Sequence, residues 1–132
     1  MSHRDLYATF TRVTLTPRRG GFSPAVDVFY DDDPPRAIVQ AELAGIDVGE
    51  LTLEVQGRTL VLAGRRPAAG TQGRVFQRLE IEPGPFRRAV ELGADVDADA
   101  ATASYVDGIL RVELPLARGR SRAVPLAVEW PR

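Results

Sequence analysis

Any catalysis by this 132-residue chain would rest on carboxylates and hydroxyls, because it has a single histidine, His3, and no cysteine. A Ser-His-Asp or Cys-His site needs an imidazole held beside its nucleophile and oriented by a third group. His3 lies within the first few residues, where no element fixes it. Carboxylates do occur close together, in Glu80 and Glu82 and in Asp31 to Asp33. Acid–base chemistry requires such a pair to sit in a pocket, and acidic clusters beside glycine and proline read instead as solvated turns. The run Asp95-Val96-Asp97-Ala98-Asp99 spaces its acids as the opening of a calcium loop does. Its sixth position is Ala100 rather than glycine, its twelfth is Val106 rather than glutamate, and no helices flank it. Turn capping is the better reading. No glycine-rich segment follows a strand and opens a helix, so nothing cradles a phosphate. The expectation is a protein that is not an enzyme, with no catalytic residues, no metal and no cofactor.

The elements that carry these residues are short strands. From Ala25 to Leu114, segments with period-two alternation are bounded by glycine, proline or aspartate at spacings of about ten residues. Strands are expected at Ala25 to Tyr30, Ala37 to Glu42, Leu51 to Gln56, Thr59 to Arg65, Val75 to Glu80, Phe86 to Glu91, Ala101 to Val106 and Ile109 to Leu114. Gly57-Arg58 and Asp107-Gly108 suit two-residue hairpin turns, which need positive φ. Asp47 to Glu50 and Asp97 to Ala100 are each long enough for one short helical turn. No stretch of ten or more residues keeps a helical stripe with caps. The fold class is therefore all-β, and eight short strands write a sandwich.

Composition places limits on partners. The chain is 44% hydrophobic and 27% charged with a net charge of -1, ordinary for one soluble domain and without the basic excess that nucleic-acid binding needs. No apolar run approaches the roughly 20 residues of a membrane helix, and the N-terminus lacks the apolar stretch of a secretion signal. The expected compartment is the cytoplasm, with no nucleic acid and no membrane as partners. All 17 basic residues are arginine. Residues 1–24 mix Leu6, Tyr7, Phe10, Val13, Leu15 and Phe22 with arginines and read as a flexible arm; 25–116 form the domain and 117–132 an extension.

The last hairpin, Ala103-Ser104-Tyr105-Val106-Asp107-Gly108-Ile109-Leu110, resembles the A-x-x-x-n-G-v-L signature of α-crystallin domains, the domain of small heat-shock proteins. Leu43-Ala44-Gly45-Ile46 resembles that family's L-P-G-v turn, Leu60-Val61-Leu62-Ala63-Gly64 its L-x-I-x-G strand end, and Gly84-Pro85-Phe86-Arg87-Arg88 its G-x-F-x-R segment. The four motifs occur in the family's order. Ala44 and Gly93 stand where the family usually has proline, and the arm is short for the family.

The resemblance implies an immunoglobulin-like β-sandwich in which a strand around Val75 to Glu80 is exchanged with a partner's first strand. Val26, Val28, Val75, Phe76, Arg78, Leu79, Arg87 and Arg88 would then lie at a homodimer interface; for Arg87 and Arg88, simple solvation is an equal alternative. It implies a groove for a tail motif or a client formed by Leu51, Leu53, Val55, Ala103 and Tyr105, although alternating Leu51, Leu53 and Val55 would equally serve a core. The tail motif itself falls at Val124-Pro125-Leu126, with Leu126-Ala127-Val128 as a second register. The implied function is that of an ATP-independent chaperone, a holdase binding partly unfolded clients, as a homodimer or higher homo-oligomer. The alternative is a sandwich co-chaperone of the p23 type that serves a dedicated partner.

Overall fold

Alternating side chains commit each strand to one buried face, and the computed structural model of the chain shows how two such faces meet. It describes residues 22–68, 70, 72–117 and 124–131. Eight strands follow in order: β1 (Val26–Asp32), β2 (Pro35–Glu42), β3 (Thr52–Gln56), β4 (Thr59–Arg66), β5 (Gly84–Glu91), β6 (Thr102–Val106), β7 (Ile109–Pro115) and β8 (Val124–Leu126). They build two four-stranded sheets, ordered β1-β2-β7-β6 and β5-β4-β3-β8, in which every pairing is antiparallel. There is no α-helix among the described residues, and no helix is long and apolar enough to cross a membrane.

The facing surfaces of the two sheets form the core. Val39 and Ala41 on β2, Leu110, Val112 and Leu114 on β7, Leu53 and Val55 on β3, Leu60 and Leu62 on β4, and Phe86 and Val90 on β5 are all at most 5% exposed. Every buried residue described is apolar. Burial of this kind supplies about 25 cal/mol per Å² of apolar surface removed from water, and it fixes register, because a one-residue slip would turn each inward side chain to solvent.

Turn chemistry sets the connections. Gly57 takes φ +62° between Gln56 and Thr59, and Asp107 and Gly108 take +54° and +79° between Val106 and Ile109. The second turn thus has the two positive φ values of a type I′ hairpin, whose twist matches that of its strands. The Asp47 side chain accepts a hydrogen bond from Gly49 N at 3.0 Å and opens a short 3-10 turn, Val48–Glu50. Asp97 does the same for Ala98–Ala100, through Asp99 N at 3.1 Å. Asp95 pairs with Arg58 at 3.1 Å. The acidic run thus holds a turn and ties it to the β3–β4 hairpin.

Three placements differ from the sequence expectation. Val75 to Glu80, expected as a strand paired with a partner's, is irregular in the single chain and joins neither sheet. The tail supplies β8, a strand not expected in the sandwich, which takes the open edge of β3. Phe22, expected in the arm, is tied to β5: its amide donates to Pro85 O at 3.0 Å and its carbonyl accepts from Arg87 N at 3.3 Å. Its ring lies 5.4 Å from that of Phe86.

Candidate functional site

A sandwich of two open sheets has mouths where the edge strands of opposite sheets face each other. At one mouth stand β3 and β6, and both belong to hairpins whose turns were legible as Gly57-Arg58 and Asp107-Gly108. Leu53 and Val55 on β3 are 2% and 1% exposed, and Ala103 on β6 is 5% exposed. Leu51, just before β3, and Tyr105 on β6 are partly buried against the same apolar cluster. The structure therefore brings these five side chains together, and three of them are also core.

The chain's own tail runs through this mouth. Leu126 pairs with Leu53, Pro125 with Glu54 and Val124 with Val55. Proline has no N–H to donate, so it fits a sheet only where its nitrogen faces away from the ladder, as on an edge strand. Pro125 leaves the outward edge of β8 without its central donor, and that blunts the edge against further pairing. Beyond β8 the tail crosses to the other sheet: Tyr105 N donates to Glu129 O at 2.7 Å, and Glu129 N donates to Ala103 O at 3.0 Å. One segment thus hydrogen-bonds the edges of both sheets.

Two tail side chains pack against the core cluster, Leu126 and Val128, while Pro125 and Ala127 are exposed. An extended segment points alternate side chains the same way, so Leu126, common to both expected registers, and Val128 face inward together. Trp130 remains 46% exposed. The Tyr105 hydroxyl reaches across to donate to Leu43 O at 2.7 Å. Leu43 N in turn donates to Gly108 O at 2.8 Å. The β2–β3 turn is therefore fastened to the β6–β7 hairpin that forms one wall of the mouth.

The residues expected at an interface occupy a separate region. Val26 packs partly against the core, whereas Val28, next on the same face of β1, is 37% exposed. Among the described residues no strand lies beside the outer edge of β1. Val75, Phe76 and Leu79 are half-buried and Arg78 is exposed, its guanidinium 3.6 Å from Glu80. Arg88 donates to Pro24 O at 3.2 Å, and Arg87 is exposed with no ion pair among the described residues. Sequence reasoning carried Val128 only through the second tail register and missed Glu129. The Leu126-Ala127-Val128 spacing signalled the first; nothing in the residue type signalled the second, because it acts through its backbone.

Comparisons with known proteins agree on the family and the fold. The model of the Hsp20/alpha crystallin family matches residues 31–127. The 18 kDa antigen 2 of Mycobacterium avium is 32% identical over 126 residues, covering 96% of this chain and 86% of that protein. Heat shock protein 16 of Schizosaccharomyces pombe is 31% identical over 121 residues, covering 84% of this chain and 80% of its own. Among solved structures, a small heat-shock protein from Xylella fastidiosa superposes with a TM-score of 0.64 at 28% identity, covering 76% of this chain and 92% of that one.

Proposed function

The chain belongs to the Hsp20/alpha crystallin family, whose membership supports a chaperone role in stress, and from that premise we propose that it is an ATP-independent holdase. In this reading it binds partly unfolded proteins through apolar surface and keeps them from aggregating, without catalysis. The single observation that carries it is the mouth between β3 and β6, apolar in its walls and covered by a short tail of the same chain. A tail whose side chains Leu126 and Val128 are only partly buried is displaceable by any extended segment offering similar ones. Apolar recognition has no shape code, so many clients fit weakly, each gaining about 25 cal/mol per Å² buried.

Assembly belongs to the same proposal. The open outer edge of β1 and the apolar, unpaired Val75, Phe76 and Leu79 are two halves of a ladder that a second copy would complete. Val26, Val28, Arg78, Arg87 and Arg88 would line that contact. The Xylella fastidiosa relative is described as having a distinct high order structure, and we read this chain as a homodimer able to build further, working in the cytoplasm.

Heat-induced aggregation of an unrelated enzyme, followed by light scattering without ATP, tests the reading. Suppression at near-stoichiometric ratios is expected. A folded protein that leaves scattering unchanged at every ratio would overturn it in favour of a co-chaperone of the p23 type, with a dedicated partner.

A further inference from the structure

The mouth opposite the tail lies between β1 and β5, the remaining edge strands of the two sheets. Little apolar surface holds β1 there. None of its seven residues is buried, whereas the neighbouring β2 carries Ala37, Ile38, Val39 and Ala41 at 1% exposure or less. Val26, Val28 and Tyr30 alternate on the face turned towards β5, since they pair with Ala41, Val39 and Ala37 of the core. Only Val26 packs against that core; Val28 and Tyr30 are exposed. A strand with a ladder on one side and so little beneath it opens locally at low cost in free energy.

Two ties fasten this stretch of chain across the mouth, one at each end of β1. Ahead of the strand, Arg88 Nη1 on β5 donates to Pro24 O at 3.2 Å. At the far end, Gly93 N, just past β5, donates to the Tyr30 hydroxyl at 2.7 Å. A Cβ at Gly93 would lie 3.2 Å from that oxygen, so a residue without a side chain lets the tip of the ring approach. The ion pair of Asp31 with Arg36, at 3.0 Å, joins β1 only to β2. Among the described residues, the Tyr30 hydroxyl thus makes the one side-chain hydrogen bond that β1 sends beyond its own hairpin.

We propose that Tyr30 is a positioning residue for pairing between copies: held by Gly93 N, it keeps the far half of β1 seated, so that the outer edge meets a second chain as a formed strand. This rests on the reading of β1 as the pairing edge. Strand addition draws its affinity from main-chain hydrogen bonds to an extended edge. An edge that is formed only part of the time binds more weakly in proportion to that fraction. Tyr30 therefore acts through β1 and not by touching the partner. Tyr105 provides the contrast, because its hydroxyl makes a bond of the same length, to Leu43 O at 2.7 Å, at the other mouth and away from β1.

Sedimentation equilibrium of the full chain over a dilution series gives the dissociation constant of the pair. Tyr30→Phe keeps the ring and removes the acceptor; it is expected to raise that constant about twofold to tenfold, the range of one hydrogen bond. Tyr105→Phe should lower the urea midpoint and leave the constant unchanged. In single chains kept apart by Leu79→Asp, Tyr30→Phe should also raise amide exchange at Gly93 and along Val28 to Asp32, with β7 still protected. An unchanged constant for Tyr30→Phe, in a protein whose native form pairs, overturns this inference alone. An equal rise for Tyr105→Phe does the same, by making the effect one of general stability. So does a raised constant without faster exchange along β1, which assigns the hydroxyl to direct contact with the partner. A native chain that keeps the mass of one copy at every concentration overturns the pairing reading, and this inference with it.

Discussion

Two residues that depart from the family pattern use the one group a proline lacks. Ala44 N donates to Glu42 Oε1 at 3.0 Å, and Gly93 N donates to the Tyr30 hydroxyl at 2.7 Å. What rigidity is lost, about 0.4 to 1 kcal/mol through the unfolded chain, is offset by bonds of about 0.5 to 1.5 kcal/mol each. Gly64 is set by a different constraint: a Cβ there would lie 2.7 Å from Phe86 Cζ and 3.4 Å from Glu50 O. Since Phe86 is 2% exposed and cannot retreat, Gly64→Ala should destabilise by about 1 to 3 kcal/mol, the cost of overpacking, read from the urea midpoint. Tyr105→Phe removes the donor to Leu43 O and leaves that carbonyl near the mouth; a loss of about 0.5 to 1.5 kcal/mol is expected in the same measurement.

Elements are where the tail acts. Replacing Leu126 and Val128 by serine in the full chain should raise amide exchange at Tyr105 and Glu129, whose N–H groups donate to Glu129 O and Ala103 O and close the mouth, while Pro125→Ala leaves those amides protected. Exchange followed by NMR distinguishes the two. The strands of both sheets could be read from alternation, and their hairpins from Gly57-Arg58 and Asp107-Gly108, because local φ preference and burial point the same way there. The tail was harder to place. Val124-Pro125-Leu126 and Leu126-Ala127-Val128 share one spacing and, two residues apart, one face, so alternation points to both alike. Val75 to Glu80 has the alternation of a strand but joins no sheet of the single chain: alternation states a preference, whereas a ladder also requires a neighbour. Tyr30 carried no signal at all, since its partner is a backbone amide far along the chain.

At the scale of the whole molecule, pairing between copies must show as mass action. A species that folds as a dimer has a thermal midpoint that rises with protein concentration. Scanning calorimetry over a wide range of concentration should show this rise for the native chain. Leu79→Asp, which places a charge in the loop away from the core, should flatten it and give a sedimentation mass near the 14.4 kDa of one chain. The free edge of β1 and the tail-filled mouth lie at different ends of the strand orders, so Leu79→Asp and the double serine replacement in the tail should act independently. The tail that bonds both sheets also follows both of them along the chain. Synthesis proceeds from the N-terminus, so each new copy completes β3 and β6 before the segment that joins them exists. Every molecule therefore begins with its apolar mouth unclosed, at the moment when other nascent chains are nearby and equally incomplete.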